Sequence, residues 1–279
     1  MIIRKNRVLT SENNKPILYD VYYNKTEKPQ PLVIFCHGYK GFKDWGAWHL
    51  VAEAFVDAGF CFVKFNFSHN GGTVENPIDF PDLEAFAANN FSLELDDLDR
   101  VLNYIEKGNE DIPSESSSIS LIGHSRGGGI ALIKAEADDR INKVVTWASV
   151  SDFKARFQEE SESFKQWKET GVTYVENSRT KQMLPHKFQF YRDFKENEER
   201  FSIRRAVKSL KVPLLIVHGS EDPTVSTKEA KAIHSWNPQS ELAVIEGADH
   251  VFNSKHPWQE EMLPNELNSA VKTTIAFLK

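Results

Sequence analysis

Residues 119–135 read ISLIGHSRGGGIALIKA and carry the strongest structural signal in the chain. The apolar run 119–122 is typical of a buried strand, and residues 130–135 have the composition of a helix. Ser125 lies between them, flanked by Gly123 and Gly127 in the pattern G-x-S-x-G. So tight a turn from strand to helix leaves almost no room for flanking side chains and holds the serine hydroxyl above the sheet. The pattern therefore predicts a nucleophile elbow at Ser125.

Two polar loops follow apolar runs later in the chain. The run 212–217 leads to Asp222, and the run 242–245 leads to His250. Ser125, Asp222 and His250 thus occur in this order, each after its own predicted strand. A serine hydroxyl is a weak nucleophile at neutral pH, so an imidazole must take its proton and a carboxylate must orient that imidazole. The order therefore predicts a Ser-His-Asp triad.

With this motif and this order, nearly the whole chain resembles the α/β-hydrolase superfamily. Within it, the chain is most similar to dienelactone-hydrolase-like and cinnamoyl or feruloyl esterase-like serine hydrolases. The resemblance implies that Ser125 is the nucleophile, His250 the general base and then acid, and Asp222 the orienting carboxylate. It also implies an oxyanion hole made by the backbone N–H groups of Arg126 and Tyr39. Tyr39 follows a His-Gly turn that lacks the longer His-Gly-Gly-Gly form of some lipases.

Other residues compete for two of these roles. Asp152 follows the strand after the elbow helix, where some hydrolases place the carboxylate, and it is a rival to Asp222. Asp249 is a weaker rival, because it is adjacent to the histidine that it would have to orient. His256 competes for the role of base, but only His250 follows a predicted strand directly.

The remaining histidines are expected to be structural. His124 lies beside the nucleophile and is expected to shape the elbow, while His37 and His218 end strands and are expected to satisfy nearby backbone groups. No pair of histidines has the spacing of a zinc site. We therefore expect no metal and no cofactor.

Strand-like and helix-like segments alternate along the chain, which predicts an α/β fold with a mostly parallel central sheet and helices on both faces. Residues 7–23 suggest an antiparallel hairpin at the sheet edge, and residues 91–107 an amphipathic helix. Residues 114–118 form a short polar connection. The length of 279 residues is compatible with a single domain over 1–279.

Residues 152–205 depart from this alternation, because aromatic and charged residues are mixed there and no strand pattern is visible. The segment lies between two core strands, at the position where esterases of this kind carry a cap. It is therefore interpreted as a helical cap, or lid, over the active site. The alternative is a pair of peripheral helices packed by their own aromatic side chains.

Composition limits the classes of partner. The formal net charge is -6 and no basic tract is present, which argues against nucleic acid and anionic membrane surfaces. The N-terminal residues open no long apolar stretch, so no signal peptide or membrane span is expected and a cytoplasmic location follows. Cys36 and Cys61 lie in apolar runs and are expected to be buried thiols. The oligomeric state is left open, a homodimer included.

The sequence thus predicts a serine carboxylesterase that cleaves a small-molecule ester, with small to medium acyl groups, through an acyl-enzyme. The same triad serves thioesterases and peptidase-like acyl transferases, because a fold does not determine the substrate. A third alternative is a catalytically silent hydrolase fold that acts as a binding module, against which the intact set of Ser125, Asp222 and His250 argues.

Overall fold

The computed structural model describes residues 1–26, 29–108, 112 and 118–279. The polar connection predicted at 114–118 therefore lies outside the described residues except for Ser118. The described strands are β1 (Ile2–Leu9), β2 (Ile17–Tyr23), β3 (Leu32–Cys36), β4 (Cys61–Phe65), β5 (Ile119–His124), β6 (Ile141–Trp147), β7 (Val172–Glu176), β8 (Met183–Lys187), β9 (Leu214–Gly219) and β10 (Glu241–Ile245). The described helices are α1 (Trp48–Asp57), α2 (Leu83–Ala88), α3 (Phe91–Glu106), α4 (Arg126–Ala137), α5 (Glu162–Thr170), α6 (Gln189–Glu196), α7 (Ile203–Ser209), α8 (Thr227–Trp236) and α9 (Asn265–Leu278).

Eight of the described strands form one sheet in the order β1-β2-β4-β3-β5-β6-β9-β10. From β4 to β10 all neighbours are parallel, whereas β1 and β2 form an antiparallel hairpin at one edge. Parallel neighbours need crossover helices, and these cover the sheet faces. The predicted fold class and edge hairpin are confirmed.

The central strands are buried on both faces, which explains why they are apolar without interruption. Along β3, Leu32, Ile34 and Cys36 belong to one hydrophobic core cluster, which includes residues of α3 and α4. Val33 and Phe35 point to the opposite cluster, which includes residues of α1 and α9. Alternate side chains of a strand point to opposite faces, so the two clusters are separate cores on the two sides of the sheet.

The amphipathic helix predicted at 91–107 is α3, and its start has a clear cause. Asn90 precedes it in extended conformation, and its side-chain oxygen accepts a hydrogen bond from the Leu93 N–H at 2.8 Å. This cap satisfies one of the N–H groups that the first helical turn leaves without a partner.

The insertion at residues 152–205 contains the helices α5 and α6, but it also contains β7 and β8, which pair antiparallel from Val172 with Lys187 to Glu176 with Met183. The expectation that this segment has no strands is wrong. The two strands form a separate two-stranded sheet with exposed side chains such as Tyr174, so they show no apolar alternation. Pro185, which argues against a central strand, is tolerated here because every strand of a two-stranded sheet is an edge.

Candidate active site at the carboxyl ends of the parallel strands

Ser125 lies in the tight turn between β5 and α4, in a backbone conformation that residues other than glycine rarely adopt. Its φ is 55° and its ψ is -119°. Two backbone bonds hold the turn, since the Ser125 N–H donates to the Trp147 carbonyl at 2.8 Å and the Gly128 N–H donates to the Ser125 carbonyl at 3.0 Å. A Cβ on Gly127 would lie 2.4 Å from the Cys36 carbonyl oxygen. The motif needs glycine there because α4 begins directly against the end of β3.

The structure brings together the three residues that the chain order singled out. His250 Nε2 lies 3.0 Å from Ser125 Oγ, and His250 Nδ1 lies 2.8 Å from Asp222 Oδ2. Asp222 follows β9 and His250 follows β10, so both come from loops at the carboxyl ends of parallel strands, where β5 also delivers Ser125. The imidazole therefore bridges the hydroxyl and the carboxylate.

Asp222 is held in a form suited to orienting an imidazole. Its side chain is fully buried, and Oδ1 accepts hydrogen bonds from the Thr224 and Val225 N–H groups, both at 2.8 Å. Burial would raise the pKa of this carboxyl, but the hydrogen bonds of His218 and His250 to it hold the pKa well below its usual range. Asp222 is therefore a carboxylate at neutral pH. The contact from His218, at 3.3 Å, was not anticipated from the sequence.

Two backbone N–H groups are free near the hydroxyl of Ser125. Among the described residues, neither the Tyr39 N–H nor the Arg126 N–H has a hydrogen-bond partner. The loop that carries Tyr39 runs close to the elbow, because a Cβ on Gly38 would lie 2.9 Å from the Ser125 Cβ. Both groups therefore belong to segments that adjoin Ser125, Arg126 as the next residue and Tyr39 through the close approach of Gly38.

The competing residues are engaged elsewhere. Asp152 accepts a hydrogen bond from the Lys154 N–H at 2.8 Å. Asp249 accepts hydrogen bonds from the backbone N–H groups of the loop that follows it. His256 Nδ1 accepts from the Gly46 N–H at 2.9 Å. Asp222 and His250 are therefore the carboxylate and the imidazole that the structure brings to Ser125.

His124, the residue before Ser125, contacts His250. Its Nε2 donates to the His250 carbonyl at 2.9 Å, and the two rings lie 4.9 Å apart between centroids. His37 accepts a hydrogen bond from the Phe67 N–H, and His218 donates one to the Val225 carbonyl. His37 and His218 thus each contact a backbone group, as expected, whereas His218 also contacts Asp222, which was not expected.

A buried ionic network anchors the loop after β3, and the sequence did not reveal it. Lys43 Nζ lies 2.8 Å from Asp20 Oδ1, and Lys64 Nζ lies 2.7 Å from Asp20 Oδ2. The backbone N–H of Lys43 donates to Asn66 at 2.6 Å. Breaking such a buried pair leaves an uncompensated charge, so the loop that presents Tyr39 is held firmly. The available signal was a charged residue inside an apolar run, Lys64 in β4 and Asp20 in β2.

Tyr39 also connects this loop to the insertion. Its hydroxyl lies 2.6 Å from His186 Nε2 on β8. Burial raises the pKa of Tyr39 to about 12 and lowers that of His186 to about 3, so both groups are neutral and share one hydrogen bond. The Arg126 guanidinium lies over the Tyr39 ring, 4.5 Å from its centroid, and pairs with the buried Glu94 at 3.1 Å. The insertion therefore contacts the loop beside Ser125 through a polar link.

Two cavities meet at Ser125. One of about 360 Å³ is mostly apolar and is lined by Ser125 and by aromatic side chains that include Phe153, Phe157 and Phe190. The other, of about 510 Å³, is more polar and is lined by Ser125 and His250. Only the second cavity borders the imidazole, so the two sides of Ser125 differ in chemistry.

Acidification is expected to destabilise the fold, because burial lowers the pKa of six histidines and does so most strongly for three of them, to about 4 for His37 and to about 3 for His124 and His186. Below pH about 6.5 the unfolded chain binds protons that the folded chain does not, so stability falls as the pH falls. Asp97 partly offsets this effect. Burial raises its pKa to about 6, so near pH 5 the folded chain binds a proton at Asp97 that the unfolded chain does not. These four groups together predict a loss of about 3 kcal/mol per pH unit near pH 5.

Urea unfolding at pH 7 and at pH 5 measures this loss. His186→Phe removes one of the three histidines and should reduce the slope by about one proton. Equal stability at the two pH values would contradict the assignment of these three histidines as neutral and buried.

Within the described ranges, no three His, Cys, Asp or Glu side chains form a group that could hold a metal ion. No helix in this part of the chain is long and apolar enough to cross a membrane.

Comparison with known proteins identifies the family. The BD-FAE family model matches residues 19–237. The fold is similar to that of Est1E from Butyrivibrio proteoclasticus, with a TM-score of 0.73 at 15% identity, over 99% of this chain and 98% of that chain. It is also similar to a putative hydrolase from Agrobacterium vitis (TM-score 0.74, 16% identity, 100% of both chains) and to dienelactone hydrolase from Anabaena variabilis (TM-score 0.65, 15% identity, 99% and 97%).

No curated protein matches the sequence significantly. The structural similarities confirm the α/β-hydrolase fold that the elbow and the chain order predicted. Because the family model covers most of its length, the chain belongs to the BD-FAE family, a family of esterases with the hydrolase fold.

Proposed function

We propose that this protein is a serine carboxylesterase that cleaves small-molecule esters of small to medium acyl groups through an acyl-enzyme. The observation that carries the proposal is the continuous contact from Ser125 Oγ through His250 to Asp222, at 3.0 and 2.8 Å. A buried, ionised carboxylate holds the imidazole so that its Nε2 can accept the serine proton.

The reaction follows from these positions. Ser125 Oγ attacks the ester carbonyl carbon while its proton passes to His250 Nε2. The carbonyl oxygen becomes an oxyanion and accepts hydrogen bonds from the Tyr39 and Arg126 N–H groups. The intermediate collapses, the bond from the acyl carbon to the alcohol oxygen breaks, and His250 returns the proton to that oxygen. A water molecule then attacks the acyl-enzyme by the same route and releases the acid.

The two cavities divide the substrate between them. The alcohol must leave beside the group that protonates it, and His250 lines the polar cavity. The acyl group then occupies the apolar cavity, whose aromatic wall includes Phe157 and Trp167 of the insertion. One solved structure of Est1E holds ferulic acid, which supports an aromatic acyl group among those accepted.

We propose that the insertion at 152–205 is the cap of a single domain, residues 1–279. Its side chains Phe153, Phe157, Trp167 and Phe190 line the apolar cavity together with Ser125. The contact between Tyr39 and His186 ties the cap to the loop that carries an oxyanion donor. A cap so placed excludes water from the acyl group.

The proposed function is tested by labelling with a fluorophosphonate and by an ester panel. We expect labelling of one serine per chain, because such reagents trap an activated serine, and hydrolysis of short acyl and hydroxycinnamoyl esters faster than that of long acyl esters. A matched thioester measures the competing thioesterase activity. Failure to label would contradict the proposal, and equal rates on short and long acyl esters would contradict the compact acyl cavity.

A further inference from the structure

The polar cavity beside His250 is lined by cationic side chains. Lys40 and Arg179 border it, and no carboxylate of the described residues does. The chain as a whole carries a formal net charge of -6, so this local positive charge does not follow from the composition. Clefts lined by one sign of charge attract ligands of the opposite sign.

The cations near Ser125 differ in whether their charge is compensated. Arg179 pairs with Asp79, and Arg126 pairs with Glu94. Lys40 has no carboxylate partner among the residues that the structure describes, and its ammonium lies over the face of the Tyr39 ring, 5.3 Å from the centroid. Lys40 therefore offers an uncompensated charge to whatever occupies the cavity.

The position of Lys40 is itself unfavourable. The residue adopts a φ of 56°, in the left-handed region where glycine is preferred, directly after the Gly-Tyr pair of the loop. It is half-buried, and burial lowers the pKa of its ammonium with no neighbouring carboxylate to offset the effect. The surrounding loop must therefore hold Lys40 in a strained conformation beside the cavity.

We propose that Lys40 forms an anion-binding subsite for the alcohol part of the substrate, so that the enzyme prefers esters whose alcohol carries a carboxylate or a phosphate group. The proposal rests on the proposed function, because it assumes that the leaving alcohol lies beside His250 in the cavity that Lys40 lines. An ammonium binds either anion as a compact point charge.

The test compares esters with the same acetyl group and different alcohols. Para-acetoxybenzoate and para-acetoxyphenyl phosphate carry an anion, and para-acetoxybenzamide is a neutral analogue of similar shape. The measured quantity is kcat/KM for each anionic ester divided by kcat/KM for the amide. In Lys40→Gln this ratio should fall about tenfold relative to the wild type, the size expected for loss of a charge-assisted contact. Lys40→Arg should retain most of the preference.

Lys231→Gln is the matched control, because it removes the same charge from an exposed position on α8. Its ratio should equal that of the wild type. If the ratio falls in Lys40→Gln but not in Lys231→Gln, for either anionic ester, the subsite is supported. The anionic ester whose ratio falls more carries the preferred anionic group. An unchanged ratio in Lys40→Gln, or an equal fall in Lys231→Gln, overturns it.

The neutral ester separates the two proposals. If para-acetoxybenzamide is hydrolysed but Lys40→Gln leaves the ratio unaltered, the anion subsite alone is wrong. If the neutral ester is not hydrolysed and fluorophosphonate does not label the chain, the proposed esterase function fails.

Discussion

Replacement of Ser125 by alanine is expected to abolish ester hydrolysis and fluorophosphonate labelling while leaving the fold intact. The variant removes the only hydroxyl that contacts His250 among the described residues. When a triad nucleophile is removed, the rate falls by about 10⁶-fold, and what remains comes from binding and from the oxyanion donors. Turnover of para-nitrophenyl acetate and circular dichroism of the purified variant measure the two halves of the prediction.

The matched control for this variant is Ser235→Ala, which removes an exposed serine hydroxyl of α8. It should retain wild-type turnover and labelling. Substantial hydrolysis or labelling by a folded Ser125→Ala variant would show that another nucleophile acts, and the proposed mechanism would be wrong.

Asp222→Asn should lower kcat by about 10⁴-fold, because an amide in place of the carboxylate disturbs the histidine tautomer. The asparagine oxygen can still accept the Thr224 and Val225 N–H bonds that hold the loop, so the fold should persist. If the amide then turns its NH₂ group toward His250 Nδ1, that nitrogen must become the acceptor and Nε2 carries the proton. Such an imidazole cannot take a proton from Ser125. Steady-state kinetics on para-nitrophenyl acetate measures the loss.

Asp152→Asn is the control, since Asp152 is the rival carboxylate that the sequence left open. The structure places its side chain on the Lys154 backbone N–H, so this variant should be close to wild type. A larger loss in Asp152→Asn than in Asp222→Asn would reverse the assignment of the carboxylate.

Much of the fold could be predicted because its signals are local. Strands such as β3 and β5 are buried on both faces and are therefore continuous apolar runs, and α3 has both an amphipathic pattern and an asparagine cap. The sequence does not predict the strands β7 and β8, because they lack such a local signal. They lie outside the main sheet with exposed side chains, so pairing between distant residues, rather than an apolar pattern, makes them strands.

The site shows the same division. The sequence predicts the role of Ser125 because the strained turn requires small neighbours in a fixed pattern. The contacts of Asp222 with His218, of Lys43 with Asp20 and of Tyr39 with His186 leave no such pattern. The last two join residues far apart in the chain, and a buried lysine is indistinguishable in sequence from an exposed one until its partner is placed.

The sequence by itself predicts the elbow at Ser125, the order of the three polar loops and the alternation of strands and helices. It does so because backbone geometry and hydrophobic periodicity act over a few residues. Folding in three dimensions was needed to bring Asp222 rather than Asp152 against His250, and to separate an apolar cavity from one that Lys40 lines. These outcomes depend on distances between elements far apart in the chain, which no short stretch of sequence contains.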